Sequence, residues 1–150
     1  RGMLRVGLKN IHVFIHHQSE NFLAGMPTDL AFRMGAKEAL FEYLEKQQGE
    51  GWWGNEQMKD YYKMQEVGSD PFSWIKVHPF MDMETQKKFP IDHASLQETS
   101  LMLAFCPEGV DMKRFSKKKW YSMGAQEATL EYGNAAKEMI LESLRRILKG

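Results

Sequence analysis

The 150-residue chain has a single cysteine, Cys106. It therefore cannot build an intrachain disulfide framework, and this usage fits a reducing compartment. Excess charge of either sign is also missing, since 20 basic and 20 acidic side chains cancel. No global field draws the chain to nucleic acid or to an anionic bilayer. No apolar run approaches the ~20 residues that span a membrane, and no basic-then-apolar leader opens the chain. These absences together lead us to expect a cytoplasmic protein with neither a nucleic-acid nor a membrane partner. A glycine-rich phosphate loop, a G-x-S-x-G elbow and a C-x-x-C pair are not found, which weakens nucleotide-dependent and serine-hydrolase readings. Internal repeats, low-complexity tracts and flexible linkers are lacking too, so one continuous domain portion over residues 1–150 is the simplest division.

What is present is ordinary in bulk and informative in places. Hydrophobic residues at 43% and charged residues at 27% suit a globular domain and select no chemistry. A domain of this length buries roughly 70% of the surface of its unfolded chain, so a core is available. The chain opens on Arg1-Gly2-Met3 and runs directly into what looks like a helix end, Met3 to Leu8, so it reads as the downstream part of something longer. Ile11 to Ile15 form a short apolar strand. Alternation places His12, Phe14 and His16 on one face and Val13, Ile15 and His17 on the other, so the adjacent histidines diverge.

A long amphipathic helix is predicted from Pro27-Thr28-Asp29 to Gln47-Gln48-Gly49, broken by Gly51-Trp52-Trp53-Gly54, with helix resuming over Glu56 to Met64. Phe72 to Val77 reads as a second strand ending at His78-Pro79. Leu96 to Phe105 reads as a helix stopped by Cys106-Pro107-Glu108-Gly109, and Asn134 to Lys149 as a closing helix with Ala136, Ile140, Leu144 and Ile147 inward. Helix, tight turn and strand in succession is α/β grammar, in which ligand sites gather at the carboxyl ends of strands.

Three groups of residues can carry chemistry. His17 and Glu20, on the loop after the first strand, offer one nitrogen and one carboxylate to a borderline metal, or else cap a following turn. Asp92-His93 precedes Glu98 and an apolar run, placing an imidazole beside carboxylates, which is general acid–base equipment. The same stretch, Ser95-Leu96-Gln97-Glu98, also spells a capping box, in which serine and glutamate satisfy free backbone donors. Trp52, Trp53 and Trp74 can wall a pocket for a flat or cyclic substrate, with His78 as another strand-end histidine, or can pack in a core. Arg114 and Lys117 to Lys119 read as a solvated basic face, and the eleven methionines as core filler.

Asp92, His93, Glu98, Thr99, Ser100, Leu101, Met102, Leu103 and Pro107 resemble a block of the creatinine amidohydrolase (creatininase) family. In that family an acidic residue and histidine, a few small residues and glutamate-threonine-serine lead into an aliphatic helix ending in a proline-containing turn. The family's glycines are replaced here by Ala94 and Ser95. Ala128-Thr129-Leu130-Glu131-Tyr132-Gly133 resembles its stretch before the last helix, and Ile15-His16-His17-Gln18-Ser19-Glu20-Asn21 is more loosely similar to its strand-end metal segment.

This resemblance implies the carboxyl-terminal portion of a three-layer αβα sandwich with a mainly parallel sheet. It implies a metal-dependent amidohydrolase that cleaves a C–N bond of a small amide, open-chain or cyclic, with a metal-activated water. Two divalent ions (zinc, manganese or iron) are implied, with His17 and Glu20 as ligands and Ser19 as the alternative to Glu20 by gapless register. His93 would be the proton carrier, with Asp92 orienting it and Glu98 fixing the loop or the substrate; Trp52, Trp53 and His78 would face the substrate. Further family ligands belong to an upstream glutamate-x-histidine segment that this chain lacks, so an upstream segment or companion chain would complete the site. A homo-oligomer, by resemblance a hexamer, is also implied. The alternative is a non-catalytic subunit that keeps the fold for assembly or ligand binding.

Overall fold

The computed structural model describes residues 1–16, 25–60 and 70–149. Helix predominates, with a two-stranded parallel sheet, so the chain is a mixed helix and strand protein. In chain order the elements are α1 (Gly2–Arg5), β1 (Ile11–Ile15), α2 (Pro27–Gln48), β2 (Ile75–Pro79), α3 (Met83–Lys88), α4 (Leu96–Phe105) and α5 (Leu130–Lys149), joined in part by short 3₁₀ turns. Among the described residues no helix is long and apolar enough to cross a membrane.

Two compact units can be distinguished, one from Arg1–Ile15 and Ala24–His78, the other from Pro79–Gly150 together with His16. In the first, β1 and β2 are neighbours, and a parallel pair needs a long crossover, which α2 lies within. Proline stands in the first turn of α2, where its missing N–H is no loss. Asp29 in that turn accepts the Gly25 N–H at 2.8 Å and is clamped by the Arg33 guanidinium at 2.8 Å. Leu4, Ile11 and Leu40 are buried with Val13, Tyr43, Phe72, Trp74 and Ile75 around them, and Leu44 with Trp52 extends the apolar packing.

The second unit is centred on Met81, Phe89, Leu101, Ala136 and Ile140. Ala136 and Ile140, predicted to face inward, are fully buried. Helices α4 and α5 meet at backbone distance. A Cβ at Gly133 would overlap the Ser100 carbonyl oxygen and lie 2.6 Å from its carbon. The Ser100 hydroxyl is buried and accepts the Thr129 N–H at 3.1 Å, while the Thr129 hydroxyl accepts the Tyr132 N–H at 3.1 Å. That local capping starts α5 at Leu130, four residues before the predicted Asn134.

Other boundaries differ for local reasons. The second strand begins at Ile75 rather than Phe72, because Asp70 accepts the Phe72 N–H at 2.9 Å and Pro71–Ser73 curl into a 3₁₀ turn. Glu56–Met58 form a 3₁₀ turn where a helix over Glu56 to Met64 was expected, and residues 61–64 of that stretch lie outside the described residues. The short helix α3, capped by Asp82 onto the Thr85 N–H at 2.8 Å, and the 3₁₀ run Trp120–Glu127 were not foreseen.

Candidate active site

The segment singled out at 92–98 lies at the start of α4, and three of its four carboxylate oxygens accept backbone N–H groups. Asp92 Oδ2 accepts the Gln97 N–H at 2.6 Å, and Oδ1 accepts those of Ser95 at 3.3 Å and Glu98 at 3.1 Å. Asp92 is thus the residue that caps α4. Ser95, expected to cap through its hydroxyl, makes no side-chain capping bond. Its backbone, at φ −108° and ψ −141°, departs from the usual capping geometry, and the longer reach of Asp92 takes its place. Half of the expected capping box survives in altered form: Glu98 Oε2 accepts an N–H at 2.6 Å, but that of Ala94 rather than Ser95.

That bond holds a strained residue. Ala94 has φ of 51°, in the left-handed region where a Cβ is disfavoured by roughly 1–2 kcal/mol. Glycine would adopt this turn without that cost. His93, just before it, is exposed, and its ring meets Tyr121 edge to face with centroids 5.2 Å apart. The structure gives Asp92 and His93 adjoining positions but spends the Asp92 oxygens on the helix, so the expected Asp92 bond orienting the His93 ring is replaced by the Tyr121 contact.

The other oxygen of Glu98 faces a residue that sequence reasoning passed over. His16 Nε2 lies 3.9 Å from Glu98 Oε1, both side chains partly exposed, an ion pair whenever the imidazole is protonated. His16 also packs against Phe80, with centroids 4.9 Å apart. Together with Leu101, Met102 and Phe105 these residues line a cavity of about 360 Å³. The strand alternation had separated His16 from His17, and that divergence was the available signal that His16 could face a different neighbour. His17, Ser19 and Glu20 lie outside the described residues. Among the described residues no three His, Cys, Asp or Glu side chains converge as a metal-holding group.

The residues expected at the substrate belong to the first unit. Trp52 is 2% exposed and packs with Leu44, Met58, Phe72 and Trp74, whereas Trp53 is 60% exposed. His78 lies on β2 in an ordered polar chain. Lys76 Nζ donates to Asn10 Oδ1 at 3.3 Å, His12 Nε2 is 3.0 Å from the same oxygen, and His12 Nδ1 is 3.0 Å from His78 Nε2. The rings are nearly coplanar, 12° apart with centroids at 5.1 Å, which is the geometry of an in-plane N–H···N bond. Since Asn10 Oδ1 only accepts, the network assigns the His12 proton to Nε2 and the donating proton to His78 Nε2, leaving His78 Nδ1 bare. Burial, with His12, Arg33 and Lys76 close by, holds the His78 pKa below the usual imidazole value. His78 is therefore neutral near pH 7, donating through Nε2 and leaving Nδ1 as an acceptor.

The chain matches no protein-family model, and no curated protein or solved structure is significantly similar to it.

Proposed function

We propose that this chain is the carboxyl-terminal portion of a creatininase-like, metal-dependent amidohydrolase acting on a small amide in the cytoplasm, its parallel strand pair being part of a three-layer αβα sandwich. One observation carries the reading: within the second unit His16, distant in sequence from α4, approaches Glu98 at 3.9 Å beside an apolar cavity. The donor chemistry suits a borderline divalent ion in part. One imidazole and one carboxylate stand together, His17 and Glu20 follow directly in sequence, and four-coordinate sites draw on such donors. His17 and Glu20 would hold the metal, and an upstream segment or companion chain would complete its ligands.

When bound, the ion supplies Lewis acidity and an acidified water. The remaining work falls to side chains of this chain. His93 carries a proton to the leaving amide nitrogen, its ring steadied edge-on by Tyr121. Glu98 holds the Ala94 N–H and so fixes the loop from which His93 projects. Phe80, Leu101, Met102 and Phe105 exclude water from one side of the site, which strengthens electrostatic interactions within it.

His93→Ala is expected to abolish turnover in the assembled, metal-complete enzyme while leaving metal content near two ions per site. Undiminished turnover removes His93 from the mechanism. A second reading, a non-catalytic subunit used in assembly, draws support from Trp120, which is 83% exposed. A folded, metal-free assembly favours that reading over the enzyme.

A further inference from the structure

The basic run at 114–119 reads in sequence as one solvated face, but the fold divides it. Arg114 and Lys119 line a cavity of about 420 Å³ over the amino-terminal half of α4, while Lys117 and Lys118 do not contribute to its wall. Ala94, Glu98 and Thr99 form another part of that wall. Glu98 therefore stands between two recesses, the apolar one it shares with His16 and this one, whose wall mixes charged and apolar side chains.

The charged groups of this recess differ in their partners within the protein. Of its acids, Glu98 Oε2 accepts the Ala94 N–H at 2.6 Å with Oε1 toward His16, and Asp111 Oδ1 accepts the Lys113 N–H at 3.0 Å. Arg114 and Lys119 have no carboxylate within 4.0 Å among the described residues. A guanidinium fork and an ammonium on one concave wall, neither paired with a carboxylate of the described residues, match an anion that arrives with the ligand.

We propose that the ligand of this site is an amide that also carries a carboxylate, with the carboxylate held by Arg114 and Lys119 and the amide lying toward Glu98 and the Ala94 turn that follows His93. This assignment rests on the amidohydrolase reading for the fate of the amide, but anion recognition by the recess is measurable without turnover. The carboxylate orients the substrate and is unchanged by the reaction, so Arg114 and Lys119 are specificity residues rather than catalytic ones.

The test compares N-acetylglycine with its neutral counterpart N-acetylglycinamide, binding being followed by calorimetry and hydrolysis by product amine, in the complete metal-loaded assembly. N-acetylglycine is expected to bind about tenfold or more tightly. Arg114→Gln with Lys119→Gln should erase that preference, leave the neutral amide unaffected and raise KM for the anion with little change in kcat. Lys117→Gln with Lys118→Gln, which alters net charge equally, should keep the preference. Equal binding of the two amides, no binding of either, or equal losses in both double variants overturns the proposal. Hydrolysis of both amides without an anion preference leaves the enzyme reading standing and removes this one. Preferential binding of the anion without hydrolysis does the reverse.

Discussion

Two glycines in helix interiors should respond to the same substitution with opposite signs. Intrinsic propensity favours alanine over glycine in a helix by about 1 kcal/mol. At Gly35, within α2, nothing lies within 4 Å of the added Cβ, so Gly35→Ala should stabilise the first unit by close to that amount. At Gly133 the same methyl would overlap the Ser100 carbonyl oxygen, with the Ser100 carbon at 2.6 Å and Ala104 Cβ at 3.1 Å. Two of these obstacles are backbone atoms, which no rotamer change can move aside. Relief requires α4 and α5 to separate, and overpacking of this kind costs roughly 1–3 kcal/mol or more. Because the overlap is with backbone the cost lies at the upper end of that range, and subtracting the propensity gain leaves a net loss of about 2 kcal/mol for Gly133→Ala. Segment-resolved hydrogen exchange reads each unit separately. Each 1.4 kcal/mol of opening free energy changes protection about tenfold. Protection over Leu96–Phe105 and Leu130–Lys149 should fall in Gly133→Ala, and protection over Pro27–Gln48 should rise in Gly35→Ala. Unchanged or greater protection in α4 and α5 of Gly133→Ala would refute the backbone contact between them. Because Glu98 stands two residues before Ser100, the same variant should also disturb the candidate site.

Two further consequences follow from the charged groups. Asp92→Ala strips the acceptor from three amides at the start of α4 and should lower stability by about 1–2 kcal/mol, with Asp92→Asn retaining much of it; an Asp92→Ala urea midpoint equal to the parent's would contradict the capping assignment. Stability should also fall with acid in two separate ranges. His78, held below its usual value, resists the proton that the unfolded chain accepts near pH 6.5, so stability declines from about there down to its folded pKa. Asp29, lowered chiefly by its hydrogen bond from Arg33, adds stability that is lost as pH falls through its folded pKa, below the ordinary carboxylate range. In a pH series of urea midpoints, His78→Gln should flatten the upper range only; a profile with the upper decline intact would show that His78 is not its source.

Local signals accounted for much of the fold. The apolar run Ile11–Ile15, the proline and aspartate opening α2, and the aliphatic stretch ending at Cys106-Pro107 each express their structure through near neighbours, and β1, α2 and α4 occupy the predicted ranges. The inward face of the closing helix was legible for the same reason, since period 3.6 is written along the chain. In the candidate site, Asp92, His93 and Glu98 could be picked out by residue type and spacing.

Their partners could not, because hydrogen-bond acceptors and cavity walls are settled by distance in space. Asp92 rather than Ser95 caps α4, since only the folded loop shows which oxygen reaches the free amides. Trp52 and Trp53 are adjacent in sequence and opposite in burial, because a 3₁₀ turn points one into the core and the other away. His16 meets Glu98 across a long sequence separation, and Arg114 and Lys119 share a cavity that Lys117 and Lys118 do not enter. Residue types and periodicity, carried by the sequence itself, determined β1, α2 and α4, the inward face of α5 and which side chains could do chemistry. Tertiary packing decided which of those side chains stand together, because Coulomb and hydrogen-bond energies fall off over a few ångströms that sequence spacing does not encode.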